Sequence, residues 1–334
     1  MSVYDPNAPA IPKPTKLSSP VMLAGTDVWE EPYNLVQLFG SVVSHLNKWR
    51  MFYVYQRGVD AIGNRLWNAA YAEADNPQGP WRKPSIKYYN GLNGNAIIGD
   101  QQSWGVFYSP TRQKFLGAGY AKRGESINGG EWHPVDNWPE AGQNDTSTSV
   151  IQHQPFYQGN PFIAGVRAQG TWANGTLRRA AWMDSGNWDT WSAKNIIEQF
   201  DSPDGWEQPY ALQLTSHGEY IVGLLWWLHL DNTSGNNSVG TVDAELVWLK
   251  PPANAISIAQ CGSWTRTYQP FLSIGAAGAW DAGTVQPAPL VIHDGTVYCF
   301  YTGFKQKHGI SMQPHDLNIG LATMAQLDLD GILQ

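Results

Sequence analysis

The sequence predicts an all-β protein, a five-bladed β-propeller behind a proline-rich arm. Three observations carry this reading. The 334 residues include 34 Gly, 22 Pro and 42 aromatic side chains (17 Trp, 15 Tyr, 10 Phe), with only 15% charged residues. That composition suits short strands and tight turns rather than long amphipathic helices. A hairpin signal stands at Asp294-Gly295, between the apolar run Pro289 to Ile292 and the aromatic run Val297 to Tyr301. The same arrangement of strand, polar turn and aromatic strand recurs four more times upstream.

Residues 1–20 carry five prolines and little periodicity, so an extended N-terminal arm is expected there, with the propeller over 21–334. The arm is either a loose tail or a tie to an assembly partner. It has no apolar core of a secretory signal, and no apolar run is long enough to span a membrane. Localisation stays open, with virion or extracellular use among the alternatives.

The repeated unit has four parts. A first strand leads into a short polar turn: His45-Asn47, Thr111-Gln113, Gln158-Asn160, Ser216-Gly218 or Asp294-Gly295. An aromatic or glycine-rich second strand follows, beginning at residues 50, 115, 162, 220 and 297. A third strand comes after most of these: Leu66 to Ala74, Leu177 to Met183, Val242 to Leu249, Asn318 to Met324. A Trp-bearing segment closes the unit, as at Trp81, Trp132, Trp188 with Trp191, and Trp264. Intervals of 65, 47, 58 and 77 residues between second strands fit propeller blades with long loops. Wide flat side chains fill the spaces between such blades, so most tryptophans belong to the packing.

The formal net charge is −7 and no Lys/Arg cluster stands out, which argues against nucleic acid as a main partner. Cys261 and Cys299 match no zinc spacing, and two inert thiols are expected. No serine-protease, P-loop or Rossmann pattern is found; Gly117-Ala118-Gly119 lies inside a strand.

Aligned unit by unit, the chain resembles the five-bladed propeller glycoside hydrolases of the invertase and arabinanase type. Val28-Trp29-Glu30-Glu31 before Lys48 to Tyr53 resembles the opening blade, and Tyr71 to Ala74 with Gly79 to Pro84 its outer part. Tyr89-Asn90-Gly91 with Asn95 to Ile98 is similar to the entry to blade two. Asn187-Trp188 and Trp206-Glu207-Gln208-Pro209-Tyr210 are similar to the junction into blade four. Trp280 to Gly283, Phe300 to Gly303 and Ile319 to Thr323 resemble the closing blade. The likeness runs from about residue 25 to 331. It departs in two places: the invertase branch's Asn-Asp-Pro motif is absent, and no C-terminal β-sandwich is expected after Asp330.

In a propeller the first residues of the innermost strands ring one mouth of a central channel. Acids distant in sequence then converge there: Asp27, Glu30 and Glu31, Asp100, Asp145, Asp204 and Glu207, and Asp281. Glycoside hydrolysis needs one protonated and one charged carboxyl group across the scissile bond. Glu31 is the expected charged partner, with Asp27 next, since Glu30 and Glu31 face opposite ways on a strand. Glu207 or Asp145 is the expected donor. Asp100 and Asp281 would tune pKa values or hold sugar hydroxyls. Trp29, Trp104, Trp206 and Trp280, each beside such an acid or turn, are the expected glycan platforms. No cofactor is expected; the resemblance allows a structural calcium or sodium ion in the channel. His153, His308 and His315 are weaker candidates for an ion or a substrate oxygen.

Three functions fit these residues. One is a glycosidase acting on a poly- or oligosaccharide. Another is a glycan-binding propeller without catalysis. The third is a structural or receptor-binding protein of an assembly such as a phage virion.

Overall fold

The computed structural model describes residues 2–25, 30, 33–63, 65–84, 96–99, 101–119, 122–135, 138, 148–172, 175–202, 205–231, 239–310 and 316–334. The fold is all-β apart from single-turn segments and one short C-terminal helix. After β1 (Thr15–Lys16), the strands form five units in chain order. Unit one holds β2 (Val36–His45), β3 (Lys48–Val59), β4 (Arg65–Ala74) and β5 (Ala96–Gly99). Unit two holds β6 (Trp104–Ser109), β7 (Lys114–Gly119), β8 (Arg123–Ser126) and β9 (His133–Val135). Unit three holds β10 (Ser149–Gln152), β11 (Phe162–Trp172), β12 (Gly175–Ser185) and β13 (Asn195–Ile196). Unit four holds β14 (Glu207–His217), β15 (Tyr220–Leu230), β16 (Gly240–Leu249) and β17 (Thr265–Leu272). Unit five holds β18 (Thr284–Pro287), β19 (Val291–His293), β20 (Thr296–Phe304) and β21 (Asn318–Ala325), and α1 (Gln326–Leu333) follows.

In units one to four neighbouring strands pair antiparallel, the first with the second and the second with the third, and in unit five β18 and β19 both pair with β20, which pairs with β21. The turns supply the local reason. Asp294 and Gly295 both adopt positive φ, 47° and 73°, as a two-residue hairpin turn requires. Leu46 and Asn47 do the same at 50° and 57°. The second strands are buried on both faces: β15 reads YIVGLLWWLHL with nine of its eleven residues fully covered. Such a strand reads as a continuous apolar run rather than an alternation.

Successive units touch one another, units one to four through their first strands. Val106 donates its N–H to the Ser41 hydroxyl (3.0 Å), and Ser109 bonds Gln152 (2.8 Å). Leu214 donates to the Ser149 hydroxyl (3.0 Å), and Thr215 donates to the carbonyl of Leu290 (3.2 Å). Unit five then returns to unit one, where Leu38 donates to the Thr302 hydroxyl (2.7 Å). The backbones approach closely enough that glycine is required. A Cβ on Gly40 would stand 2.1 Å from the Phe52 carbonyl oxygen, and one on Gly105 the same distance from that of Thr148.

The N-terminal segment lies along units four and five. Asp5 donates to the Tyr268 carbonyl (2.9 Å), and β1 pairs antiparallel with β21, Thr15 opposite Thr323 and Lys16 opposite Ala322. The final residues form the helix α1. Its Leu329 and Leu333 are buried, and Asp330 accepts a 2.6 Å hydrogen bond from His217. Cys261 and Cys299 are unpaired, and burial pushes their thiols up to about 11 and 12. Among the described residues no helix is long and apolar enough to cross a membrane.

Candidate functional site

The first strands begin at residues 36, 104, 149, 207 and 284, and the expected site lies at that end. Asp27, Trp29, Glu31, Asp100, Asp145, Asp204 and His315 fall outside the described residues. Two of the remaining expected acids, Glu30 and Asp281, and a third acid, Glu245 of β16, take part in buried ion pairs of a common design, each joined by an aromatic donor from a second strand. Lys83 donates to Glu30 (2.6 Å), which also accepts from the Tyr53 hydroxyl (3.2 Å) of β3. Lys16 donates to Asp281 (2.6 Å), which also accepts from the Tyr301 hydroxyl (3.1 Å) of β20. Arg266 donates to Glu245 (2.7 Å), which also accepts from the Trp227 indole (2.9 Å) of β15. In each case the cation comes from the outer part of the fold: the segment after β4, β1, or β17. The pair therefore fastens an outer element over the second strand. Glu30 and Glu245 are fully buried. Asp281, expected to face a channel mouth, is only 3% exposed and turned toward Lys16.

Glu207 belongs to a different array. His229 Nδ1 donates to Glu207 (2.9 Å) and its Nε2 donates to Asp243 (2.9 Å). Burial alone would push the imidazole pKa down, but the carboxylates of Asp243 and Glu207 hold it up at about 9. The N-terminal segment closes over the array. Val3 donates its N–H to Glu207, and the Tyr4 hydroxyl donates to Asp243 (2.6 Å). A carboxylate that accepts from both an imidazolium and a backbone N–H is set up as an acceptor. These contacts oppose the donor role expected for Glu207.

The tryptophans divide likewise. Trp104, expected as a platform, is a core residue with no exposed surface; it packs edge-on against Trp132 at 5.2 Å. Trp280 stacks on Tyr301 at 5.6 Å and lies against Gly303 and Gly320, covering unit five. Trp206, immediately before β14, is 42% exposed.

After Trp206 along β14, Tyr210 gathers His308 and two arginines that the sequence did not single out. Tyr210 stacks on Trp226 at an interplanar angle of 11°, and its hydroxyl lies 3.0 Å from His308 Nε2. The guanidinium groups of Arg167 and Arg178 stand 5.5 and 5.2 Å from the Tyr210 ring. Arg178 also bonds Gln208 (3.0 Å), and Gln208 bonds the Gly205 carbonyl (3.3 Å). Tyr210 and Gln208 were visible in the WEQPY motif. The arginines were not, because each sits in a strand that reads as core.

Among the described residues no group of three or more His, Cys, Asp or Glu side chains is arranged to hold a metal ion. His308 bonds Tyr210, and His153 is buried, paired with Ser216 at 2.9 Å and pushed down to about 4 by burial. At the far end of the first strands is a cavity of about 440 Å³. Residues 41–45, 106–108, 150–152, 214–216 and 289–292 line it, so every unit contributes.

Neither a family model nor a curated protein sequence matches the chain. Solved structures do. A protein described as a glycoside hydrolase aligns over 94% of this chain and 91% of its own, at 14% identity and a TM-score of 0.60. The catalytic domain of the Coprinopsis cinerea GH62 α-L-arabinofuranosidase aligns over 94% and 98%, at 14% identity and 0.59. An N-acetylgalactosamine deacetylase from F. plautii, in complex with blood group B trisaccharide, aligns over 96% of both chains, at 13% identity and 0.56. At these identities the likeness establishes a shared all-β fold, common among proteins that act on carbohydrates, and leaves the chemistry to the site.

Proposed function

We propose that the chain is a carbohydrate-active five-bladed β-propeller that holds a poly- or oligosaccharide at the end where its first strands begin. The five units are its blades, and residues 1–20 form an arm laid along blades four and five. The observation that carries this reading is the closed order of contacts from unit one through five and back to one, which brings the starts of the five first strands to one end. The likeness to carbohydrate-active structures over nearly the whole chain supports it. Trp206 supplies an exposed indole face at that end.

Hydrolysis is the first reading of the activity. Glu31, with Asp27 next, acts as the charged partner. Asp145 is the donor, because Glu207 already accepts from His229 and Val3. Asp100 assists. Release of reducing sugar from a panel of oligosaccharides tests it: Glu31→Gln and Asp145→Asn should each abolish turnover that the parent shows. Full activity in both variants would remove the assignment.

Glycan binding without catalysis is the second reading. It is favoured by the fact that Glu30, Glu207 and Asp281 are all engaged in ion pairs. Retention of a glycan by the parent protein with no turnover of the same glycan would select it.

A further inference from the structure

Residues 2–5 step across one end of unit four, from its last strand to its first. Asp5 donates its N–H to the Tyr268 carbonyl of β17 (2.9 Å). The Tyr4 hydroxyl donates to Asp243 of β16 (2.6 Å). Val3 donates its N–H to Glu207, the residue that opens β14, and the Ser2 hydroxyl lies 3.4 Å from the same carboxylate. The segment thus reaches the innermost strand of the unit one residue from the exposed Trp206. Glu207 receives donors of two kinds. His229 belongs to the sheet: it stands opposite Glu207 in the β14–β15 register and donates to Oε1. Val3 belongs to the arm and takes Oε2.

The arm is lightly held between this end and its anchor at β1. Four prolines, Pro6, Pro9, Pro12 and Pro14, have no N–H with which to bind the sheet. Residues 9–12 lie over a cavity of about 560 Å³ whose other walls include Trp248, Leu327 and Ile332. Ile11 reaches the core, while Pro9, Ala10 and Pro12 stay exposed. A segment with few buried apolar contacts opens at far less cost than the whole fold.

We propose, resting on the carbohydrate reading above, that the Val3 amide holds the place of a sugar hydroxyl on Glu207 Oε2, and that arm and glycan exclude each other there. Trp206 and Glu207 are consecutive, with Cα atoms about 3.8 Å apart. A glycan with one ring on the indole brings hydroxyls to the carboxylate, and an ionised oxygen is a strong acceptor for them. The arm is then a strap over the site, and it lowers glycan affinity by the cost of lifting it.

The test uses the full chain and three neutral probes, xylohexaose, mannohexaose and arabinohexaose, by calorimetric titration and amide exchange. A probe that binds should, at saturation, speed exchange at Val3 and Tyr4 about tenfold, because competition is reciprocal. Val3→Pro, which has no N–H to give, and Tyr4→Phe should each bind that probe about tenfold tighter than the parent, the worth of one hydrogen bond to a charged group. Glu207→Gln in the Val3→Pro background should remove the gain. Binding by Val3→Pro where the parent shows none would also support the proposal. Slower or unchanged exchange at Val3 and Tyr4 in the saturated parent would overturn it, as would variants that bind no tighter; either result leaves the carbohydrate reading intact. Binding of no probe by the parent or by either variant would count against the carbohydrate reading itself. The exchange measurement on the parent does not depend on whether a variant folds.

Discussion

Lys16 and Asp281 are 265 positions apart in the chain and 2.6 Å apart in the structure. Their contact ties β1, and with it the N-terminal segment, to the start of unit five. Asp281 is nearly buried whereas Lys16 keeps part of its surface in water. Removing the cation leaves a buried carboxylate with Tyr301 as its one side-chain donor among the described residues. Lys16→Met should therefore cost about 3 kcal/mol, the low end for breaking a buried pair. Urea denaturation measures it, and a loss under about 0.5 kcal/mol would place the pair among weak surface contacts.

The Glu30–Lys83 pair is more deeply buried, with side-chain exposures of 0% and 4%. Lys83→Met should cost about 4 kcal/mol because it strands a charge. The double variant Glu30→Gln, Lys83→Met should cost less than that single change. A double-mutant cycle by denaturation checks this, and additive losses would contradict it.

The array at His229 makes stability depend on pH. Its folded pKa of about 9 lies above the ordinary 6.5, so its contribution is fully present below about 6.5 and is lost as pH rises through 9. The parent should lose about 2 kcal/mol more than His229→Gln between pH 6.5 and 9.5. Amide exchange at Val3 and Tyr4 should accelerate over the same interval, since both hold the array. Parallel pH profiles for the two proteins would contradict the assignment.

Trp206 is exposed, so replacing it should leave stability within about 0.5 kcal/mol of the parent. Its face should matter for binding. Trp206→Ala should weaken glycan affinity about tenfold, equivalent to about 1.4 kcal/mol of stacking and buried area. Trp104→Ala should do the reverse, destabilising the fold by about 4 kcal/mol through the cavity it leaves.

The strands were legible because local chemistry specifies them. The second strands expected from residues 50, 115, 162, 220 and 297 correspond to β3, β7, β11, β15 and β20, with starts within two residues. Turn residues such as Asp294-Gly295 announce themselves through φ preference. What the sequence concealed is pairing at a distance. Nothing in Lys16 or Lys83 marks them as partners of Asp281 and Glu30, because an ion pair between remote residues leaves no periodic trace. Arg167 and Arg178 were hidden for a related reason: each stands in a strand whose neighbours read as core. Trp104 misled because an indole next to a polar turn looks the same in sequence whether it faces solvent or Gly117.

The most direct test of the account is a crystal structure of the protein with a glycan that it retains in solution. The account predicts sugar rings at the end where residues 36, 104, 149, 207 and 284 begin their strands, against Trp206. Sugar bound instead in the cavity lined by 41–45, 106–108, 150–152, 214–216 and 289–292, with the Trp206 end empty, would contradict it.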